Sequence, residues 1–173
     1  VIDDGRLRNP ALRENFIERV FVYRRWREFL ERGGGGRGGL VAFHTAHKLL
    51  VLAHSPRHYT GLGRIVAGAK GVRPAELHAR YLETLMEGLA LLATARKNTN
   101  VLMHAMGYFK RLIDGDEKKE LLEVIENYRR GLVPLVVPVT LLKHYVRKFD
   151  EPYLGGQVYL DPHPLELMLR NHV

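Results

Sequence analysis

One feature limits this chain's fold more than any other: helix-start signals repeatedly precede apolar residues spaced three and four apart. Asn9-Pro10 and Ser55-Pro56 each set a capping side chain before a proline, whose missing N–H costs nothing at a first helical position. Pro74 and Pro138 open further runs, and Asp114 with Glu117 makes a capping-box pattern. Between these signals the apolar residues line one helix face, as Leu77, Tyr81, Leu85, Leu89 and Leu92 do. No segment alternates as a half-buried strand would. The expected class is all-α, a single-domain bundle of about seven helices with an irregular C-terminal tail.

The expected helices cover 9–32, the stretch from Leu40 to Ser55, 56–69, a long run from Pro74, 114–130 and 138–149, with a short one after Pro164. Arg96 to Asn100 interrupts the run after Pro74. That predicts either one bent helix or two joined at Asn98 to Asn100. Gly61, Gly63 and Gly68 cost helix propensity and fit where another helix packs closely. Residues 33–39, Gly-Gly-Gly-Gly-Arg-Gly-Gly, lack the Gly-Lys-Ser/Thr of a phosphate loop and read as a flexible loop. Residues 1–8 read as a linker from an N-terminal partner domain, with the helical domain over 9–173. The start at Val1 rather than Met points to a trimmed chain or a fragment of a longer protein.

The formal net charge is +8 and 46 % of residues are hydrophobic, which fits a folded domain with a polyanionic partner: RNA, DNA or an acidic membrane surface. The chain has no cysteine, which excludes disulfides, thiolate zinc sites, cysteine-held iron–sulfur clusters and thiol nucleophiles within it. No apolar run approaches the ~20 residues of a membrane span and no signal peptide is visible, so the expected location is the cytoplasm, with no membrane partner. There is no Gly-x-Ser-x-Gly elbow, and no apolar-flanked carboxylate pair stands out as an acid–base couple.

Three polar stripes carry the candidate chemistry. Leu40 to His58 holds four of the nine histidines. On a helix of about 3.6 residues per turn, His44, His47, Lys48, Val51, His54 and Ser55 share a face. His44 and His47 could share a metal, yet no acidic residue accompanies them. They could equally be helix-contact histidines held by ordinary hydrogen bonds. In a third reading Lys48, His54, Arg57 and His58 surround the helix start at Pro56, whose free N–H groups favour phosphate. The second stripe is Lys97, Asn100, His104, Tyr108 and Arg111. It reads as a base- and phosphate-contacting face, or as a solvated face with a buried Asn–His bond. The third is Lys143, His144, Arg147 and Lys148, a basic face free of acids or simply a solvated one. These three stripes are the candidate nucleic-acid-binding residues; no catalytic residue and no metal ligand is assigned.

Phe43-His-Thr-Ala-His-Lys, Ala53-His-Ser-Pro-Arg-His-Tyr and Leu62-Gly-Arg resemble the YbgA-like domain family, a domain of unknown function. The resemblance continues in Asn98-Thr-Asn-Val-Leu-Met-His-Ala-Met-Gly-Tyr, in Tyr128-Arg-Arg-Gly-Leu-Val-Pro through Leu142-Lys-His-Tyr, and in Gln157-Val-Tyr-Leu-Asp-Pro-His-Pro. It covers nearly everything from Leu40 onward. It implies a domain that occurs alone or behind a TudS-like thiouracil desulfidase domain, whose iron–sulfur cluster is held by cysteines. In such fusions the domain is implicated in binding tRNA that carries 4-thiouridine. Arg6-Leu-Arg-Asn-Pro-Ala-Leu-Arg looks like the junction of such a fusion. Without cysteine this chain cannot carry the desulfidase chemistry, so the cluster belongs to the partner domain alone, fused or separate.

Three functions follow as expectations. The first is an RNA-binding module, its ligand a tRNA, that presents thiolated tRNA to a desulfidase. The second is a stand-alone enzyme in which His44, His47 and His104 line a nucleotide or metal pocket. The third is a structural module that docks a desulfidase through the first helix and has no RNA affinity.

Overall fold

Trp26 is the centre of the core, and the helices can be placed around it. In the computed structural model, residues 7–33 and 36–171 are described, so residues 1–6 of the expected junction lie outside the described residues. Helix α1 (Pro10–Glu31) starts where the sequence predicts, with the Asn9 side chain accepting from Leu12 N–H. It buries Asn15, Glu18, Val22 and Trp26 along one stripe. Helix α2 (Arg37–His54) runs alongside. The Trp26 ring meets Phe43 of α2 edge-on at 5.1 Å and stacks on Tyr81 of α4 (Pro74–Ala90) at 5.5 Å. Such aromatic pairs contribute roughly 0.5–1.5 kcal/mol each beyond the area they bury. The core continues through Leu40, Leu50, Leu85, Leu102 and Leu142, all fully buried.

The boundaries depart from expectation in three places. Residues 33–39 are not wholly loop, because Arg37, Gly38 and Gly39 form the first turn of α2. Buried Leu40 fixes that turn, and its N–H donates to Gly36 O at 3.1 Å. The run after Pro74 is two helices, but the break falls at 91–94 rather than at Asn98 to Asn100. Thr94 caps α5 (Ala95–Met106) by accepting from Lys97 N–H, so the polar residues 96–100 lie inside the helix and supply its first turns. Helix α7 (Val136–Lys148) begins two residues before Pro138, which sits in its first turn, where a missing N–H is harmless. Helix α6 (Gly115–Arg129) carries the expected capping box, and α8 (Pro152–Gly155) is a single turn. The described residues thus hold eight α-helices and no strand. Among the described residues no helix is long and apolar enough to cross a membrane.

Helix α3 (Pro56–Ala67) packs on α4, and the close approach falls on a glycine with no packing signature in the sequence. A Cβ on Gly88 would stand 2.7 Å from His58 Cβ, whereas Gly63 faces open space and Gly61 meets only Thr84 Cγ2 at 4.0 Å. The tail returns over α2. Gln157 donates from its side-chain amide to Thr45 O at 2.8 Å and accepts from Leu49 N–H at 3.2 Å, clamping one rung of that helix. In urea unfolding, Gly88→Ala should cost about 1–3 kcal/mol through overpacking. Gly63→Ala should be neutral or stabilising by up to ~1 kcal/mol. The reverse order would contradict this packing.

Candidate nucleic-acid interface and a buried charge cluster

The first stripe is divided between interior and surface. His44 is buried, and its Nδ1 shares a hydrogen bond with the Tyr81 hydroxyl at 3.1 Å. Burial, with Lys48 adding to it, pushes the imidazole down to about 4. His47 stacks on Phe43 at 4.0 Å and donates from Nδ1 to Phe43 O at 2.7 Å. Burial pushes it, too, down to about 4. His54 is 1 % exposed; its Nδ1 donates to Leu91 O at 2.7 Å and its Nε2 lies 3.0 Å from Glu18 Oε2. Ser55 is buried as the α3 cap, accepting from His58 N–H, and its Oγ lies 2.7 Å from His58 Nδ1. His44, His47, His54 and Ser55 are therefore not ligand-facing groups but helix-contact residues. The expected anion site at the start of α3 is reduced to the Arg57 N–H: Pro56 has no N–H, Ser55 takes that of His58, and Tyr59 N–H already bonds Ser55 O. Of this stripe Lys48, Arg57 and His58 reach the surface.

The second stripe is more open. Lys97 leaves it, because its Nζ donates to His54 O at 2.7 Å and Leu92 O at 2.9 Å and so ends α2. Asn100, His104, Tyr108 and Arg111 are exposed. Among the described residues Asn100 and His104 share no hydrogen bond; the buried asparagine of α5 is Asn98, donating to Tyr128 Oη at 3.1 Å and accepting from the Tyr159 hydroxyl at 3.0 Å, while the buried Asn–His contact between helices is Asn15 Nδ2 at 3.4 Å from His54 Nδ1. Tyr108 stacks on Tyr153 of α8 at 5.0 Å and 15°, and meets His104 edge-on at 5.9 Å. Burial, together with the neighbouring Tyr108 and Tyr59, raises the Tyr153 hydroxyl above its ordinary value. Tyr59 in turn lies under Lys48, 6.0 Å from its Nζ. The first two stripes thus meet in one edge: Lys48, Tyr59, Tyr153, Tyr108 and His104. Tyr59 and Tyr153, unassigned from sequence, are its connecting residues.

The third stripe is partly neutralised. Lys143 pairs with Asp161 and Lys148 with Glu117, while Arg147 and His144 remain exposed. The histidine pocket of the enzyme reading does not form, since His44 turns to Tyr81, His47 to Phe43 and His104 to Tyr108 at the surface.

A different polar cluster lies inside. Glu18, 3 % exposed, faces His54 Nε2 and accepts from Arg170 Nη2 at 3.0 Å. Arg170 also donates to Tyr159 O at 2.6 Å and lies 3.4 Å from Glu14. Burial raises the Glu18 carboxyl, but the His54 hydrogen bond and the Arg170 guanidinium overcome it and hold the group at about 2. Glu14 behaves oppositely: burial, then the Glu18 carboxylate, push it up to about 7 against the pull of Arg170 and His54. The cluster borders a cavity of about 170 Å³ that Asn15, Asn98 and Tyr128 also line. A ring nitrogen of His163 lies within 4.8 Å of both carboxylates, but a divalent ion there would face the Arg170 guanidinium. The one sequence signal for this cluster is register, since Glu18 falls in the stripe of Val22 and Trp26.

Residues 48–164 match the family model described as a protein of unknown function, DUF1722. The uncharacterized protein YbgA of Escherichia coli (strain K12) is 36 % identical over 143 residues, spanning 82 % of this chain and 85 % of that protein. This chain belongs to the YbgA-like DUF1722 family. No solved structure matches it. The matched segment contains Lys48, Tyr59, His104, Tyr108 and Tyr153 but not Glu14, Glu18 or Arg170.

Because folded Glu14 holds its proton more tightly than the unfolded chain, its contribution to stability is full below about pH 4.5 and is lost as pH rises through about 7. Glu14→Gln removes that dependence. The Tm of the variant minus that of wild type should therefore climb between pH 4.5 and 8; a difference that stays flat would contradict the assigned environment.

Proposed function

We propose that this chain is an RNA-binding module whose ligand is a tRNA, and that it presents thiolated tRNA to a TudS-like desulfidase domain carried elsewhere. One observation carries the reading. On a chain of net charge +8, Lys48, Arg57 and Arg111 of the first two stripes have no carboxylate partner among the described residues, whereas His58 lies 3.9 Å from Glu87 and both lysines of the third stripe are paired. Arg57 and Arg111 are exposed without an ion pair, and Lys48 rests on an aromatic ring. Cations held this way are free to displace the counterions of a phosphate backbone. Membership of the YbgA-like family supports the choice of tRNA, since the resemblance implies that ligand and the fused desulfidase. The cysteine-free composition suits an accessory role, with the iron–sulfur chemistry on the partner.

Fluorescence anisotropy with a labelled tRNA across a salt series tests it. Log K should fall by roughly 0.7–0.9 per phosphate contacted for each log unit of salt. Lys48→Ala/Arg57→Ala should lower both affinity and slope, and Lys143→Ala should change neither much. Folded wild-type protein that leaves tRNA unbound at low salt would refute the proposal.

A further inference from the structure

We infer that the tyrosines at the edge of α3, the turn after α5, and α8 form a stacking platform for an unpaired RNA base. The RNA the chain prefers would then be single-stranded or looped rather than duplex. The inference rests on the RNA-binding reading and sharpens it. Three phenols from separate parts of the chain meet at this edge: the Tyr108 and Tyr153 rings stack at 5.0 Å, and Tyr59 lies near enough to Tyr153 to help raise its hydroxyl. Two are half-buried, while Tyr108 keeps 38 % of its surface in solvent. Core packing accounts for Tyr153, whose ring lies under Tyr108. Tyr108 covers Tyr153 with one face and is itself covered by no further aromatic ring but the edge of His104 among the described residues, staying exposed. A base has the π-face that such a ring accepts, whatever its sequence.

The surroundings suit a nucleotide better than an apolar peptide. Lys48 lies over Tyr59 at one end, and exposed His104 meets Tyr108 at the other. Asn100, one helical turn before His104, and Arg111, three residues after Tyr108, are exposed as well. A hydrogen-bonding side chain thus stands at the Tyr108 ring, and a cation stands at the Tyr59 end of the same edge. His104 is a surface side chain, so it can rotate aside on a ps–ns timescale to admit a base. Bases inside a duplex are already stacked on each other and cannot use the ring.

The test uses a labelled uridine dodecamer, the same strand paired with an adenosine dodecamer, and tRNA, each titrated with wild type, Tyr108→Ala, Tyr108→Phe and Tyr108→Trp. Tyr108→Ala should weaken single-strand binding about 5- to 100-fold. It should leave duplex affinity and the salt slope unchanged. Tyr108→Phe should bind as wild type, because the ring and not the hydroxyl stacks. In Tyr108→Trp the surface indole should be quenched by the single strand, a signal that buried Trp26 does not supply. Equal single-strand affinity for wild type and Tyr108→Ala, or a Tyr108→Trp indole untouched by the oligomer, overturns the platform alone. Wild type that binds tRNA and duplex but not the single strand does the same. Wild type that binds none of the three overturns the RNA-binding reading as well.

Discussion

Glu18 is the residue on which the rest of the structure depends. It sits on α1, faces His54 at the end of α2, and accepts from Arg170 near the C-terminal end of the described chain. Residues 152 positions apart in sequence thus meet on one carboxylate. Arg170 carries the connection on to Tyr159, Tyr159 to Asn98 of α5, and Asn98 to Tyr128 of α6. Removing one member of such a buried pair strands the other and costs roughly 3–5 kcal/mol. The network therefore fixes where α2 lies relative to α1, α5 and the tail, and which of its faces points inward.

That orientation decides what the histidines do. With His54 held against Glu18, the same helix face carries His44 to Tyr81 and His47 toward the Trp26–Phe43 cluster. Burial keeps both of these imidazoles well below their ordinary value, so at neutral pH they add no positive charge. The basic character of the stripe is left to Lys48 and Arg57 at its margin. Lys97 belongs with the interior group, since its ammonium closes the end of α2. What remains at the surface is narrower than three stripes: Lys48, Arg57, His104 and Arg111 with the three tyrosines, and His144 and Arg147 on α7.

The fold was largely legible because its signals are local. Asn9, Ser55 and Asp114 cap the helices they precede, and the apolar periods name the buried faces. The site was less legible because its joins are not local. Tyr153 follows Pro152 in a broken tail segment, where no period shows that it will lie on Tyr108. Glu14 and Glu18 read as two charges on a mixed helix, because their partner Arg170 lies in a tail without regular spacing. The histidine stripe misleads for a physical reason. Imidazole is small, flat and able to bond at both nitrogens, so it serves helix contacts as readily as ligands. Gly88 shows the same limit in packing, since only the approach of His58 reveals why no side chain fits there.

The most direct measurement is zero-length photo-crosslinking of a tRNA carrying 4-thiouridine, with the adducts located by mass spectrometry. The adducts should fall on Tyr59, Tyr108, Tyr153 or Lys48, with few on the outer face of α7. Adducts confined to His144 and Arg147 on α7, with that edge untouched, would contradict the account.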